Sequence, residues 1–418
     1  DVRLVNSIDY VACWYVKAAD YVRTNKAIRC AFVSTNSITQ GEQVEPIWRT
    51  LLDRGLVIHF AHRTFKWESE ARGKAHVHVV IIGFGLSDHS PKLIFDYSDD
   101  GAPIVYTAKN INPYLIDAPP NILVASRASP IEAVPKITLG NKPTDDGNFI
   151  LTTEEKNALI ANEPTAAQFI RPYIGSVEFI NGNIRHCLWL RNANPAEIRK
   201  CPSILERLER IRAFRSKSTA KPTREKANTP QEFFFNCHPE TPYLLIPSVS
   251  SERRKYVPIG FMDKNTIASN LVYIVPDATL YHFGILTSAM HMAWMRQVGG
   301  RLKSDYRYTG STVYNTFPWP EKIADGRKAE IERLAQAVLD ERAKHLERGA
   351  TLADLYDPVT MPPGLAKAHA ALDRAVDRAY RPAPFETERA RVEHLFGLYQ
   401  VLTTLFPEKP KKKRTTKI

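Results

Sequence analysis

Apolar positions in the first ninety residues keep two rhythms in turn. Residues 7–23 carry Tyr10, Cys13, Trp14 and Ala18 at helical spacing, with the Ser7 hydroxyl placed to cap them. Ile28 to Val33 is an unbroken apolar run ending in Ser34-Thr35-Asn36, the pattern of a buried parallel strand with polar residues at its carboxyl end. Gly41 opens a second helix through Val44, Ile47, Trp48, Leu51 and Leu52, and Gly55 stops it. Leu56–Ala61 and His76–Phe84 read as two further strands. Strand, helix, strand predicts an α/β layer structure, and only part of a Rossmann-like sheet, because the segment supplies too few strands for a doubly wound domain.

From Asp117 to Gly147 the rhythm breaks into loops punctuated by Pro119, Pro120, Pro130, Pro135 and Pro143, which predicts a linker. Residues from about 150 to 320 mix short strands, turns and helices without a repeat, a mixed α+β segment. From Asp325 the chain turns helical, with apolar stripes at Ile331, Leu334 and Val338 and again at Leu372, Val376 and Tyr380. The last residues, 406–418, form a basic run expected to be disordered. The expected boundaries are therefore 1–125, 126–320, 321–405 and 406–418.

Charge changes the picture. The 418 residues carry a net charge of +12, a balance that favours a polyanionic partner. Leu151 to Pro320 holds 22 Lys/Arg against 14 Asp/Glu, and Arg199 to Lys226 alone holds ten basic against three acidic residues. The five cysteines form no C-x-x-C pair and no even framework, which predicts reduced thiols, a cytoplasmic setting and no structural zinc. No apolar run approaches the ~20 residues of a membrane span, and no signal peptide is visible. Asp1 leads straight into a periodic segment without Met, as expected of a piece of a longer protein.

Several motifs invite chemistry. Residues 300–308 read Gly-Arg-Leu-Lys-Ser-Asp-Tyr-Arg-Tyr. If that run is extended, Lys303, Asp305 and Arg307 share one face, and Ser304, Tyr306 and Tyr308 the other. A donor suited to guanine O6/N7 then sits two residues from an acceptor suited to cytosine N4, although an exposed strand can carry such charges merely to stay soluble. Phe65-Lys66-Trp67 follows a strand and offers an aromatic platform for a planar ligand, core packing being the plainer reading. Gly83-Phe84-Gly85 lacks the third glycine and the later acid of a dinucleotide loop, so a strand-end turn explains it. Asn112-Pro113-Tyr114 is similar to a truncated Asn-Pro-Pro-aromatic loop of amino-methyltransferases, but without the second proline it reads as a turn. His76 and His78 alternate on a strand without a third ligand at a supporting spacing. Pro276-Asp277 lacks the spaced acid and lysine of a metal-dependent nuclease.

Taken in order, longer segments resemble the MmeI-like (type IIL) restriction–modification enzymes over nearly the whole chain. The resemblance rests first on residues 7–11, Ser-Ile-Asp-Tyr-Val, and on residues 31–43, from Ala31-Phe32-Val33-Ser34-Thr35-Asn36 to Gly41-Glu42-Gln43. It continues in His62-Arg63-Thr64-Phe65-Lys66-Trp67, Phe169–Gly175, Glu178–Gly182, Tyr281–Ser288 and Asn315–Pro320. It implies the second half of an adenine-N6 methyltransferase domain, a target recognition domain and a helical C-terminal region, with double-stranded DNA as partner. It implies S-adenosylmethionine as methyl donor, although the family's glycine-rich cofactor loop and catalytic loop belong before the first matching segment and are not in this chain. Carried over residue by residue, it places Phe65 and Trp67 in the target-base pocket with Asn36 at its border. Lys303, Asp305 and Arg307 would read bases, with Arg301, Tyr306, Arg253 and Arg254 as further DNA contacts. The rival is a specificity module that binds DNA and leaves catalysis to a partner.

Overall fold

The computed structural model describes residues 8–67, 77–97 and 101–404. They form two compact units, the described parts of 1–127 with 316–319 and of 385–418, and residues 128–315 with 320–384.

In the first unit, helix α1 (Val11–Val22) buries Ala12, Tyr15, Ala18, Ala19 and Val22. This corrects the expected stripe, since Tyr10 and Trp14 are 79% and 56% exposed. Three alanines without bulk beyond Cβ let the helix approach the sheet with Tyr15 packed among them, so this face is buried rather than the one carrying Tyr10 and Trp14. Ser7, the expected cap, lies outside the described residues. Gly41–Gln43 forms a short 3₁₀ turn before α2 (Val44–Asp53), which buries Val44, Ile47, Trp48 and Leu51.

The sheet comprises β1 (Arg29–Thr35), β2 (Val57–Trp67), β3 (Val77–Gly85), β4 (Lys92–Tyr97) and β5 (Pro103–Ala108), in the order β1-β3-β2-β4-β5. β1 and β2 are both antiparallel to β3, so they run the same way with β3 between them. The expectation of a buried parallel β1 is thus corrected. It pairs antiparallel and alternates, with Arg29, Ala31, Val33 and Thr35 exposed and Ser34 buried. The apolar run misled because Ala31 and Val33 lie on the outer pleat. Gly83 in β3 is fixed by packing, since a Cβ there would come 2.0 Å from the Phe60 ring. Gly-Phe-Gly is therefore a close strand contact and no cofactor loop.

The second unit holds three small sheets. One orders β12 (Gly260–Met262), β10 (Tyr243–Pro247), β14 (Val272–Pro276) and β6 (Thr138–Leu139). Another orders β13 (Ile267–Ala268), β8 (Ile170–Ile174), β9 (Arg185–Leu188) and β7 (Ile150–Leu151). The third orders β11 (Val249–Ser250), β16 (Asp305–Arg307) and β15 (Gly300–Leu302), and it holds the run of residues 300–307. The expected linker 117–147 is mostly loop, yet it contributes β6 and the buried Asn141, whose Nδ2 donates to the Ala268 carbonyl at 2.9 Å. The C-terminal helices Asp325–Leu346 and Pro363–Tyr380 belong to this unit. Gly284 lets helix Leu280–Leu286 lie against them, for a Cβ there would sit 2.8 Å from Ile331. The architecture is mixed α/β with a helical C-terminal region, and the basic tail 406–418 lies outside the described residues.

Candidate nucleic-acid interface

The residues 300–307 are not one extended strand. They form a hairpin in which Leu302 pairs with Asp305, Arg301 with Tyr306 and Gly300 with Arg307, closed by Lys303 and Ser304. Lys303 takes φ 58°, a left-handed conformation that costs a non-glycine residue ~1–2 kcal/mol. Asp305 and Arg307 still share a face, as expected, while Lys303 moves to the tip and leaves it. The sequence hid this because the turn contains none of the Gly, Asn or Asp residues that usually mark one.

The two faces differ sharply. Lys303 and Arg307 are exposed, Leu302 is 53% exposed, and Asp305 is half-buried with Oδ1 accepting from the Glu252 N–H at 3.3 Å. Arg301 and Tyr306, which the resemblance offered as DNA contacts, lie on the inward face. The Arg301 guanidinium sits 4.1 Å from the centre of the buried Tyr306 ring and donates to the Ser304 carbonyl at 3.1 Å. That guanidinium braces the hairpin, and Tyr306 is a core residue. Arg253 is exposed and pairs with Asp357 at 3.5 Å. Arg254 is half-buried, with its Nε lacking a hydrogen-bond partner. Burial lowers the Arg254 pKa, while the nearby Asp305 and Asp357 carboxylates oppose that shift.

The basic stretch from Arg199 to Lys226 is less free than its composition implies. Arg207 pairs with Glu155, Arg212 with Glu209 and Lys226 with Glu232, at 3.1, 2.8 and 2.9 Å. Arg210 pairs with Glu206 one turn away. Arg215 is fully buried, and its guanidinium donates to the carbonyls of Pro143, Thr144, Lys226, Thr229 and Glu232 at 2.8 to 3.2 Å. Sequence reasoning missed this anchor, since nothing in the chain distinguishes it from its basic neighbours. Exposed Arg199 and Lys217 remain the better candidates for phosphate contacts.

At the carboxyl ends of β1 and β2 the first unit gathers the other expected residues. Val79 of β3 pairs with Thr35 on one side and Phe65 on the other, so these strand ends lie level. Two strand spacings, about 9–10 Å, separate them. Ser34 is buried and its hydroxyl meets the Tyr15 hydroxyl at 2.9 Å. Asn36 opens a short 3₁₀ turn and is half-buried. Phe65 lies within β2 rather than after it, beyond a register shift at His62/Phe65. Its half-buried ring packs 4.7 Å from Tyr97 and 6.3 Å from Trp67, which is 46% exposed. His62 stacks on Phe95 at 4.2 Å with Nδ1 2.6 Å from the Tyr97 hydroxyl, and burial lowers its pKa. His62 and Tyr97 were not singled out from sequence, because the aromatic group assembles only when β4 pairs with β2.

Asn112 is buried, and its Oδ1 accepts from the N–H groups of Tyr114 and Ile116 at 3.0 and 3.3 Å, which makes the triplet a closed turn. His78 lies in β3, whereas His76 lies outside the described residues. A Cβ at Gly83 would meet the Phe60 ring and one at Gly85 the His59 ring, so packing accounts for this glycine pair without a role in holding S-adenosylmethionine.

Comparison with known proteins now decides the family. Residues 1–96 match the DNA-methyltransferase domain of MmeI, residues 118–321 its target recognition domain and residues 323–406 its C-terminal domain. The solved structure of the type IIL restriction–modification enzyme MmeI in complex with DNA superposes with a TM-score of 0.86 at 51% identity. That match covers 96% of this chain and 54% of the other. The chain belongs to the MmeI family. "DNA methyltransferase A" of Bacillus subtilis (strain 168) is 46% identical over 398 residues, 95% of this chain and 44% of that protein. The chain thus spans about half the length of these two proteins. Placed on the family's domains, the hairpin lies near the end of the target recognition domain. The aromatic group lies in the methyltransferase domain, except that Tyr97 stands one residue beyond the match.

Proposed function

We propose that this chain is part of a sequence-specific DNA adenine-N6 methyltransferase of a bacterial restriction–modification system, acting in the cytoplasm. In this reading it supplies target recognition and one wall of the base pocket. The observation that carries the proposal is the hairpin: a cation at its tip, an acid and a second cation on its outward face, and an inward face locked by Arg301 on Tyr306. A two-stranded ribbon of that width fits the major groove, where base pairs differ in donors and acceptors. Lys303 would donate to guanine, Asp305 would accept from cytosine, and Arg307 would reach a neighbouring pair or phosphate.

Adenine N6 is unreachable within the duplex, so the base has to leave the stack before transfer. The half-exposed Phe65 and Trp67 offer a face for that base, with Ser34 to Asn36 level at the same end of the sheet. S-adenosylmethionine would supply the methyl group. By the family resemblance, its principal binding loop would belong before the first matching segment.

Sequencing the modified bases of a methylation-free host that expresses the full-length parent tests the proposal. N6-methyladenine at one short sequence is expected. Duplex binding without any modified adenine would instead make the protein a specificity module.

A further inference from the structure

The Asp373 carboxylate, on helix Pro363–Tyr380, is nearly buried and has both oxygens engaged. Oδ2 accepts from the Tyr256 hydroxyl at 2.6 Å, and Oδ1 accepts from the Ala289 N–H at 2.7 Å. Ala289 is the first residue of helix Ala289–Val298, so the acid sits at that helix's positive end. The same helix runs directly through Gly299 into the hairpin strand β15. In its last turn Arg296 donates from Nε to the Tyr306 hydroxyl at 3.1 Å and from Nη2 to the Lys255 carbonyl at 2.7 Å. Tyr256, the other group Asp373 holds, follows Arg253-Arg254-Lys255. Its ring stacks on His369 of Asp373's own helix at 4.1 Å, and His369 Nε2 meets the Tyr356 hydroxyl at 2.9 Å.

Asp373, Tyr256, His369 and Tyr356 are buried and hydrogen-bonded at short range, so they hold one geometry. One carboxylate of the C-terminal helical region therefore fixes both supports of the hairpin: the helix that feeds it and the segment that lies against Asp305 and Arg296. We infer that Asp373 is a positioning residue for base recognition, holding the hairpin in register with the DNA through helix Ala289–Val298 and Tyr256. This assigns the C-terminal helices a part in sequence discrimination, and it rests on the reading that the hairpin contacts bases. Loss of the carboxylate frees the helix end and the Tyr256 hydroxyl together. The hairpin then samples several poses, and the right sequence loses more than the wrong one.

The experiment uses the full-length parent and measures affinity for its own site and for a one-base-pair variant of that site, with turnover at saturating DNA. Asp373→Ala is expected to narrow the preference about tenfold while turnover stays within about twofold. Asp373→Asn should restore most of it, since the amide can accept from Ala289 and donate to the Tyr256 oxygen. Should Asp373→Ala fail to fold, Tyr256→Phe removes one of the two bonds and keeps the packing, and it too should narrow the preference. An unchanged preference in a folded variant, or an equal loss on both DNAs, overturns the inference. Lys303→Glu combined with Asp305→Arg in the same assay separates the two claims. If it leaves recognition unchanged, the base-contact reading fails; if it changes recognition and Asp373→Ala does not, only the positioning role fails.

Discussion

Replacing Arg215 tests how the basic segment is divided between structure and DNA. The guanidinium is fully buried and gives five hydrogen bonds to main-chain carbonyls of two loop segments, 143–144 and 226–232. Burial lowers its pKa, opposed by the nearby Asp145 and Glu232 carboxylates. Arg215→Met leaves all five acceptors without that donor, and each orphaned buried group costs ~1–3 kcal/mol. Removing a buried cation also returns its desolvation penalty of several kcal/mol. The net expected loss is therefore about 3–5 kcal/mol, in line with breaking one side of a buried charge network. Arg215→Lys keeps a charge but offers three donors for five acceptors, so about 2–3 kcal/mol should be lost. Urea unfolding followed by circular dichroism measures both. The folded Arg215→Lys variant should keep the wild-type salt dependence of DNA binding, because this residue meets no phosphate. A lysine variant within about 0.5 kcal/mol of wild type, which is the range of a surface substitution, would refute the reasoning.

Other consequences follow from the exposed and the buried groups. Arg199→Ala and Lys217→Ala should each reduce the slope of log affinity against log salt by about one where the residue meets a phosphate, and an unchanged slope for both would move the contact surface elsewhere. Phe65→Ala in the full-length parent should depress methylation by the loss of one base stack, about 1–3 kcal/mol, with duplex binding nearly unchanged. Equal collapse of duplex binding would make Phe65 a packing residue for Tyr97. Burial pushes His291 and His369 down to about 3, so both stay neutral in the fold, whereas unfolded histidine takes up its proton near 6.5. Between those values the unfolded chain binds more protons, so stability falls as pH drops through that window. At pH 5 the loss is about 2 kcal/mol per histidine. Urea unfolding at pH 7 and 5 should show a smaller difference for His369→Gln than for wild type.

The sequence carried the succession of elements better than their partners. The α2 stripe of Val44, Ile47, Trp48 and Leu51 is buried as its spacing predicts, because a strong 3.6-residue period leaves one choice of face. In α1 two faces were apolar, and the alanines rather than Tyr10 and Trp14 went inward. For β1, an apolar run could not reveal that β3 would insert between it and β2. The candidate site divides the same way. Asp305 and Arg307 share a face by strand alternation, a local property. Lys303 left that face because a turn without the usual residues closes at it. Arg215, Arg296 and Asp373 were illegible, since their roles rest on partners more than seventy residues away or on the hairpin fold itself.

The account stands most directly on the hairpin's outward charges. Lysine supplies only donors and aspartate only acceptors, so the pair matches one orientation of a G·C pair. Lys303→Glu combined with Asp305→Arg reverses that chemistry. Each mismatched contact is worth roughly 1–3 kcal/mol, enough to change which sites are modified. Mapping the methylated sites of the double variant of the full-length parent should show C·G replacing G·C at one position, with the rest of the sequence kept. An unchanged recognition sequence with normal activity would contradict the account and leave these charges as decoration on an exposed hairpin.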